Sequence, residues 1–345
     1  MKILSTAFAG VTIAFVPIFG LTPGAVAQTT MEDLEAAATA EGKLMIYTSN
    51  HDADMQARVA AFEARYPGIR VEYVRQPSSQ IFTRFISEQN AGVTLADLLA
   101  TGSTSLYQEE PALFRALTEA DLPVLADTDL LVEAENDNYK VFVNDLQKVT
   151  YSTSAVSQED LAAHLAEWGN LSDPFWKGNI ALVDPRNSNN QMSFLLYMQD
   201  IYGDEWFEDF MANGPELVGT ASSASQQVAA GAFNVLVPTI PAQSAAIRAQ
   251  GAPVGLYSPA GLNHVTASGA AVPVDAPNPN AGMLFLNWML TEEAQAIGCA
   301  TGGLPNIATQ SAECPDHLPE EYSLARDVIP AEDAAAVLRL IGLQP

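Results

Sequence analysis

Five short polar segments hold most of the side chains with chemistry to offer: Ser49-Asn50-His51, Ser78-Ser79, Thr101-Gly102-Ser103, Arg186-Asn187-Ser188-Asn189-Asn190 and Ser222-Ser223. They supply hydroxyls, amides, one imidazole and one guanidinium, a set suited to holding a polar or anionic solute by hydrogen bonds rather than transforming it. Arg186 would give charge-assisted bonds to a carboxylate or phosphate, or pair with Asp184 on the surface. No Gly-x-Ser-x-Gly elbow and no His-Glu-x-x-His pair occurs in the sequence. Asp52 and Asp54 beside His51 could make a base of it, but acidic residues there also suit the positive end of a helix dipole. An exported enzyme is therefore the remote alternative. The two cysteines, Cys299 and Cys314, have no Cys-x-x-Cys spacing and only His317 close in sequence, so a local disulfide is expected and a metal site is not.

Each polar segment follows an apolar run that reads as a strand and precedes an amphipathic run that reads as a helix. Residues 44–48, 69–74, 96–100, 179–183 and 234–237 have the strand pattern. Residues 54–65, a stretch from Ser78, 191–201, 224–230 and 281–290 have the helical one, and 266–274 reads as a further strand. Strands alternating with helices predict an α/β architecture with parallel strands. Ligands of such sheets sit at the carboxyl ends of the strands, beside helix N-termini that expose unpaired N–H groups. One such loop alone is explained as a helix cap; five together point to a ligand cleft.

The first 28 residues place Lys2 before an apolar run over 7–21, then Ala25-Val26-Ala27 before Gln28, the layout of a cleavable secretory signal over 1–27. No later run has the length of a membrane span. With 41 acidic against 15 basic residues the net charge is −26, which excludes nucleic acid and anionic lipid as natural partners. The length suits two lobes of ordinary size.

Four phrases of the mature chain, GKLMIYTSNHDADMQARVAAFEARYPGIRVEYV, WKGNIALVDPRNSNNQMSFLLYMQDIYGDEWF, VAAGAFNVLV with AIRAQGAPVGLYSP, and APNPNAGMLFLNWMLTEEAQ, resemble periplasmic solute-binding proteins of ABC importers. The branch is that of ferric-iron, phosphonate, sugar-phosphate and thiamine binders. The resemblance implies a two-lobed type II periplasmic-binding-protein fold, each lobe a mixed sheet flanked by helices. A cleft between the lobes would close on a small anionic or polar solute and present it to a permease. It implies crossing segments near 149–153 and 265–272, a first lobe of 28–150 plus 270–345 and an inserted second lobe of 151–269. It also places second-lobe ligand contacts around Thr239 and Gln243, with Tyr257 at the cleft edge or in the core. A monomer free in the periplasm, with no cofactor, no resident metal and no membrane insertion, is expected. Ferric binders of this branch use a histidine, an acidic residue and two adjacent tyrosines. Here His51 matches, the acidic position falls on Gly102, and the tyrosine pair falls within Pro238-Thr239-Ile240-Pro241. A single imidazole does not satisfy a hard cation, so iron held with a synergistic anion is the alternative.

Overall fold

The computed structural model describes residues 30–261 and 263–344; the expected signal segment lies outside them. The chain runs α1 (Met31–Glu41), β1 (Lys43–Thr48), α2 (Asp52–Arg65), β2 (Arg70–Arg75), α3 (Ser78–Asn90), β3 (Leu98–Thr101), α4 (Ser105–Glu109) and β4 (Lys140–Leu146). It continues through β5 (Lys148–Ser152), α5 (Gln158–His164), β6 (Ile180–Val183), α6 (Asn189–Ala212), β7 (Glu216–Val218), α7 (Ala221–Ala229), β8 (Val235–Thr239), α8 (Ala242–Ala249) and β9 (Val254–Tyr257). Last come β10 (His264–Ala271), α9 (Pro279–Met289), α10 (Glu292–Ala300), β11 (Leu304–Pro305), β12 (Ser323–Leu324) and α11 (Ala331–Leu340). The strands and helices expected from periodicity all occur, with ends displaced by a few residues. The helix expected over 191–201 is the first part of α6, which Gly203 interrupts with φ 75° and ψ 178°.

Two sheets form the two lobes. The first has the order β11-β4-β10-β3-β1-β2 with β12 beside β10, and the second β7-β6-β8-β5-β9. The parallel sheet expected from strand–helix alternation comprises β2-β1-β3 and β7-β6-β8, with the short β12 also parallel to β10. β10 runs antiparallel to β3 and β4 in one sheet, and β5 antiparallel to β8 and β9 in the other, so both sheets are mixed. The reason is connectivity. β4 passes through the single residue Gln147 into β5, and β9 is followed by β10, so β4 and β9 lead out of their sheets and β5 and β10 enter theirs from the other lobe.

Leu34, Ile46, Phe62, Leu98, Phe285 and Trp288 anchor the first core, and Trp168, Trp176, Phe194, Phe207 and Val235 the second. α11 delivers Val337, Leu338 and Ile341 to the second core, although it follows strands of the first sheet. β12 pairs with β10, Thr104 Oγ1 donates to Asp327 Oδ2 at 2.6 Å, and the Arg326 N–H donates to Ser193 Oγ of α6 at 2.6 Å. The C-terminal segment thus crosses between the lobes a third time. Cys299 and Cys314 form a disulfide spanning 15 residues, a loop whose closure contributes about 3 kcal/mol in the chain-entropy model.

Asp97, fully buried at the start of β3, accepts from the Met45 N–H at 2.8 Å and from the Asn278 N–H at 2.7 Å, joining the sheet to the start of α9. α9 comes so close there that a Cβ on Gly282 would stand 2.5 Å from the Asp97 carbonyl oxygen. Backbone cannot yield as a side chain does, so Gly282→Ala is expected to cost about 2 kcal/mol, within the usual range for overpacking, read as a lower urea midpoint.

Candidate functional site

β1 ends at Thr48 and β3 at Thr101, and the loops that follow them meet. Ser49 Oγ accepts from the Gly102 N–H at 2.8 Å and from Ser78 Oγ at 3.0 Å, so one hydroxyl draws three of the five polar segments together. Asn50 turns on Thr48 Oγ1, which accepts its N–H at 3.0 Å, and its carbonyl accepts Arg75 Nε at 2.7 Å. His51 stands at the N-cap position of α2, yet its ring makes no capping bond. Burial and then the Arg75 guanidinium push its pKa below the usual imidazole value, leaving it neutral at neutral pH.

These loops form one wall of a cavity of about 90 Å³ between the lobes. Ser49, Asn50, His51, Asp54, Arg58 and Gly102 line it, with Val143 and Asp145 of β4 and Ser268 of β10. The end of α10 adds Gly298, Thr301 and Gly303, and the second lobe closes the space with Ile240 and Ala242. At the rim Gly302, with φ 90°, lies so close to Pro241 that a Cβ would come within 2.5 Å of the proline ring. Only glycine fits both that backbone angle and that approach. A second bridge is made by Asn190 Nδ2, which donates to the Gly102 carbonyl at 2.9 Å.

The other expected residues are distributed differently. Thr101 is buried against Tyr107 Oη and the Ser103 carbonyl, both at 2.7 Å, and Ser103 Oγ turns to Ser105 Oγ. Arg186 is exposed and bound to Asp184 through Nε and Nη2, so its charge is spent on the surface. Asn187 donates to the Gly219 carbonyl, Asn189 to the Asp327 carbonyl, and Ser188 caps α6 through the Asn190 N–H. Ser79, Ser222 and Ser223 are exposed helix-start residues outside the cavity lining. Thr239 is buried on Thr150 and Lys148, and Gln243 Oε1 holds the Ile240 N–H, which places Ile240 at the cavity. Tyr257 packs against the second core.

Three charged side chains complete the lining. Arg58, 1% exposed, donates Nε to Asp54 Oδ2 at 2.9 Å and Nη1 to the Ala294 carbonyl at 3.0 Å. Asp54 Oδ1 has no partner among the described residues. Among the described residues no donor bonds the carboxylate of Asp145, 9% exposed, and its pKa is pushed up to about 7 by burial and then by Asp54, against the pull of Arg58. The i, i+4 spacing of Asp54 and Arg58 was readable in sequence as a helix pair; nothing in the strand KVFVNDL marked Asp145 as more than its polar end. Among the described residues no three His, Cys, Asp or Glu side chains are grouped as a metal site, and no helix is long and apolar enough to cross a membrane.

The family model described as bacterial extracellular solute-binding protein matches residues 57–323. The iron uptake protein A1 of Synechocystis is 23% identical over 271 residues, spanning 74% of this chain and 73% of that protein. Iron-bound HitA of Pseudomonas aeruginosa superposes with a TM-score of 0.71 at 21% identity, over 87% of this chain and 99% of that one. AfuA of Actinobacillus pleuropneumoniae, solved with fructose-6-phosphate, gives 0.63 at 19% identity, over 87% and 97%.

Proposed function

This chain belongs to the bacterial extracellular solute-binding protein family, and from that premise we propose that it is the periplasmic receptor of an ABC importer, capturing a small polar organic solute and presenting it to the permease without chemical change. The observation that carries this reading is a cavity with walls from both lobes, at the carboxyl ends of β1 and β3. A solute bound there bridges the lobes, so it favours the closed arrangement by the contacts made only when they meet. The first lobe comprises the elements of the first sheet and the second those between β5 and β9, with α11 docked on the second. The division into 28–150 plus 270–345 and an inserted 151–269 remains part of this proposal, with α11 of the first segment packed on the core of the second lobe. Export through the 1–27 signal and lack of catalysis are part of the same proposal.

The charges bear on the choice between the two solute classes expected from sequence. Arg186 is bound to Asp184 and Arg58 to Asp54, while Asp145 is unpaired, which favours a polar solute over a simple anion. Iron, named in several similar proteins, is the second reading because His51 lies in the lining beside two carboxylates. Melting curves of the mature protein with polar organic solutes, organic anions and ferric citrate test both. A bound solute at about 100 times its Kd adds roughly 2.7 kcal/mol, a rise of several degrees for a chain of this size. A shift with ferric citrate alone establishes the iron reading, and unchanged melting across the whole panel, or turnover of a bound solute, overturns the receptor.

A further inference from the structure

The cavity holds one cation and two carboxylates, and the cation is already used. Arg58 gives Nε to Asp54 and Nη1 to Ala294, its guanidinium carbon lies 5.7 Å from the Phe142 ring centre, and Gly298 leaves the space that its Nη2 fills. Arg75 at the rim is exposed and gives Nε to the Asn50 carbonyl. The linings contributed by α10 and by the second lobe carry no charge: Gly298, Thr301 and Gly303 on one side, Ile240 and Ala242 on the other. What remains is acceptor capacity: among the described residues Asp54 Oδ1 is buried with no partner, and the carboxylate of Asp145, a residue 9% exposed, accepts from no donor. A buried carboxylate without a donor is costly, and water in a space of about 90 Å³ offsets only part of that.

We propose that Asp145, with the free oxygen of Asp54, makes this cleft select a solute bearing a compact protonated nitrogen, whose N–H groups satisfy both carboxylates at once. The proposal rests on the solute-receptor reading and names the chemical class that the receptor takes. An ammonium supplies up to three donors and a positive charge, matching two acceptors in a site of net negative charge. A carboxylate or phosphate group would add like charge beside Asp145, and Arg58, the cation of the lining among the described residues, is already paired with Asp54. Because burial holds part of Asp145 protonated near neutral pH, capture of an ammonium displaces that proton to solvent. His51 stays neutral and does not compete.

Three probes with one carbon skeleton, propylammonium, 1-propanol and propionate, separate charge from shape. Titration calorimetry of the mature protein at matched ionic strength is expected to show binding of propylammonium alone, with a Kd at least tenfold weaker in Asp145→Asn. The asparagine keeps the side chain's shape and removes a buried charge, so the variant is expected to fold, and its melting curve checks that. Affinity for propylammonium is expected to rise severalfold from pH 6 to pH 8 in the wild type and to stay flat in Asp145→Asn. Equal binding of 1-propanol, preference for propionate, or an unweakened Asp145→Asn overturns the proposal while leaving the receptor intact. If propylammonium does not bind at 50 mM the proposal also falls; the receptor reading falls with it only if the wider solute panel gives no shift either.

Discussion

Arg58→Leu is expected to lose about 3–5 kcal/mol of stability, the usual result of removing one partner from a buried ion pair. At the level of α2 alone the pair with Asp54 is an ordinary i, i+4 contact, worth a few tenths of a kcal/mol on an exposed helix. Its weight comes from α10, which covers the guanidinium and takes its second hydrogen bond at the Ala294 carbonyl. With leucine there, Asp54 keeps its burial and loses the guanidinium it is paired with, and Ala294 loses a donor. Asp145, which already feels Asp54, is pushed further toward its neutral form. The double variant Asp54→Leu with Arg58→Met is expected to recover most of the loss, because two apolar groups of similar volume need no partner. Urea unfolding of the three proteins measures both steps; a double variant no more stable than Arg58→Leu would show that the guanidinium's packing, not the stranded charge, sets the cost.

The second large effect is a pH dependence in which two groups oppose each other. His264 begins β10, is 1% exposed, stacks on Tyr197 at 4.7 Å, and has neither ring nitrogen bonded among the described residues. Burial, and then Arg326, push its pKa down to about 4. The unfolded chain takes up this proton near pH 6.5, so the stability is present above that value and is lost as pH falls toward 4, by about 3 kcal/mol at most. Asp145 works the other way. Its folded pKa of about 7 exceeds the unfolded value of about 3.9, so its contribution is present in acid and lost as pH rises toward 7. In the wild type the two slopes offset each other between pH 4 and 6.5. His264→Phe is expected to gain stability relative to wild type as pH drops through that window, and Asp145→Asn to show a steeper acid loss than wild type. Urea midpoints at pH 4.5 and 6.5 decide the matter; parallel curves for wild type and His264→Phe would remove the histidine from the account.

The alternation of apolar and amphipathic runs from residue 43 to 101 was legible because β1 and β3 are largely buried strands and α2 and α3 each present one apolar face. The cysteine pair was legible by counting. The loop after β1 was legible as well: Ser49, Asn50 and His51 line the cavity. Arg186 and Asn187 were not separable from these by residue type, since only the fold shows Asp184 and Gly219 taking their hydrogen bonds. Asp54 reads as a dipole partner until α10, 236 residues beyond Arg58 at its Ala294 contact, encloses the pair. Asp145 lies on a strand whose apolar residues dominate its pattern, and the cost of burying it appears only when the second lobe roofs the site. That α11 packs on the second core was not legible, because periodicity marks that a face is covered and not which core covers it.

The third crossing of the chain sets up a geometric ruler. Helix α1 rests in the first core through Leu34 and Ala38, and α11 in the second through Val337 and Leu338. The helices nearest the two ends of the described chain therefore ride on different lobes. Dyes placed at exposed Glu35 and Glu332 would turn any closing of the cleft into a change of energy transfer, making an optical sensor without opening a loop or cutting the fold.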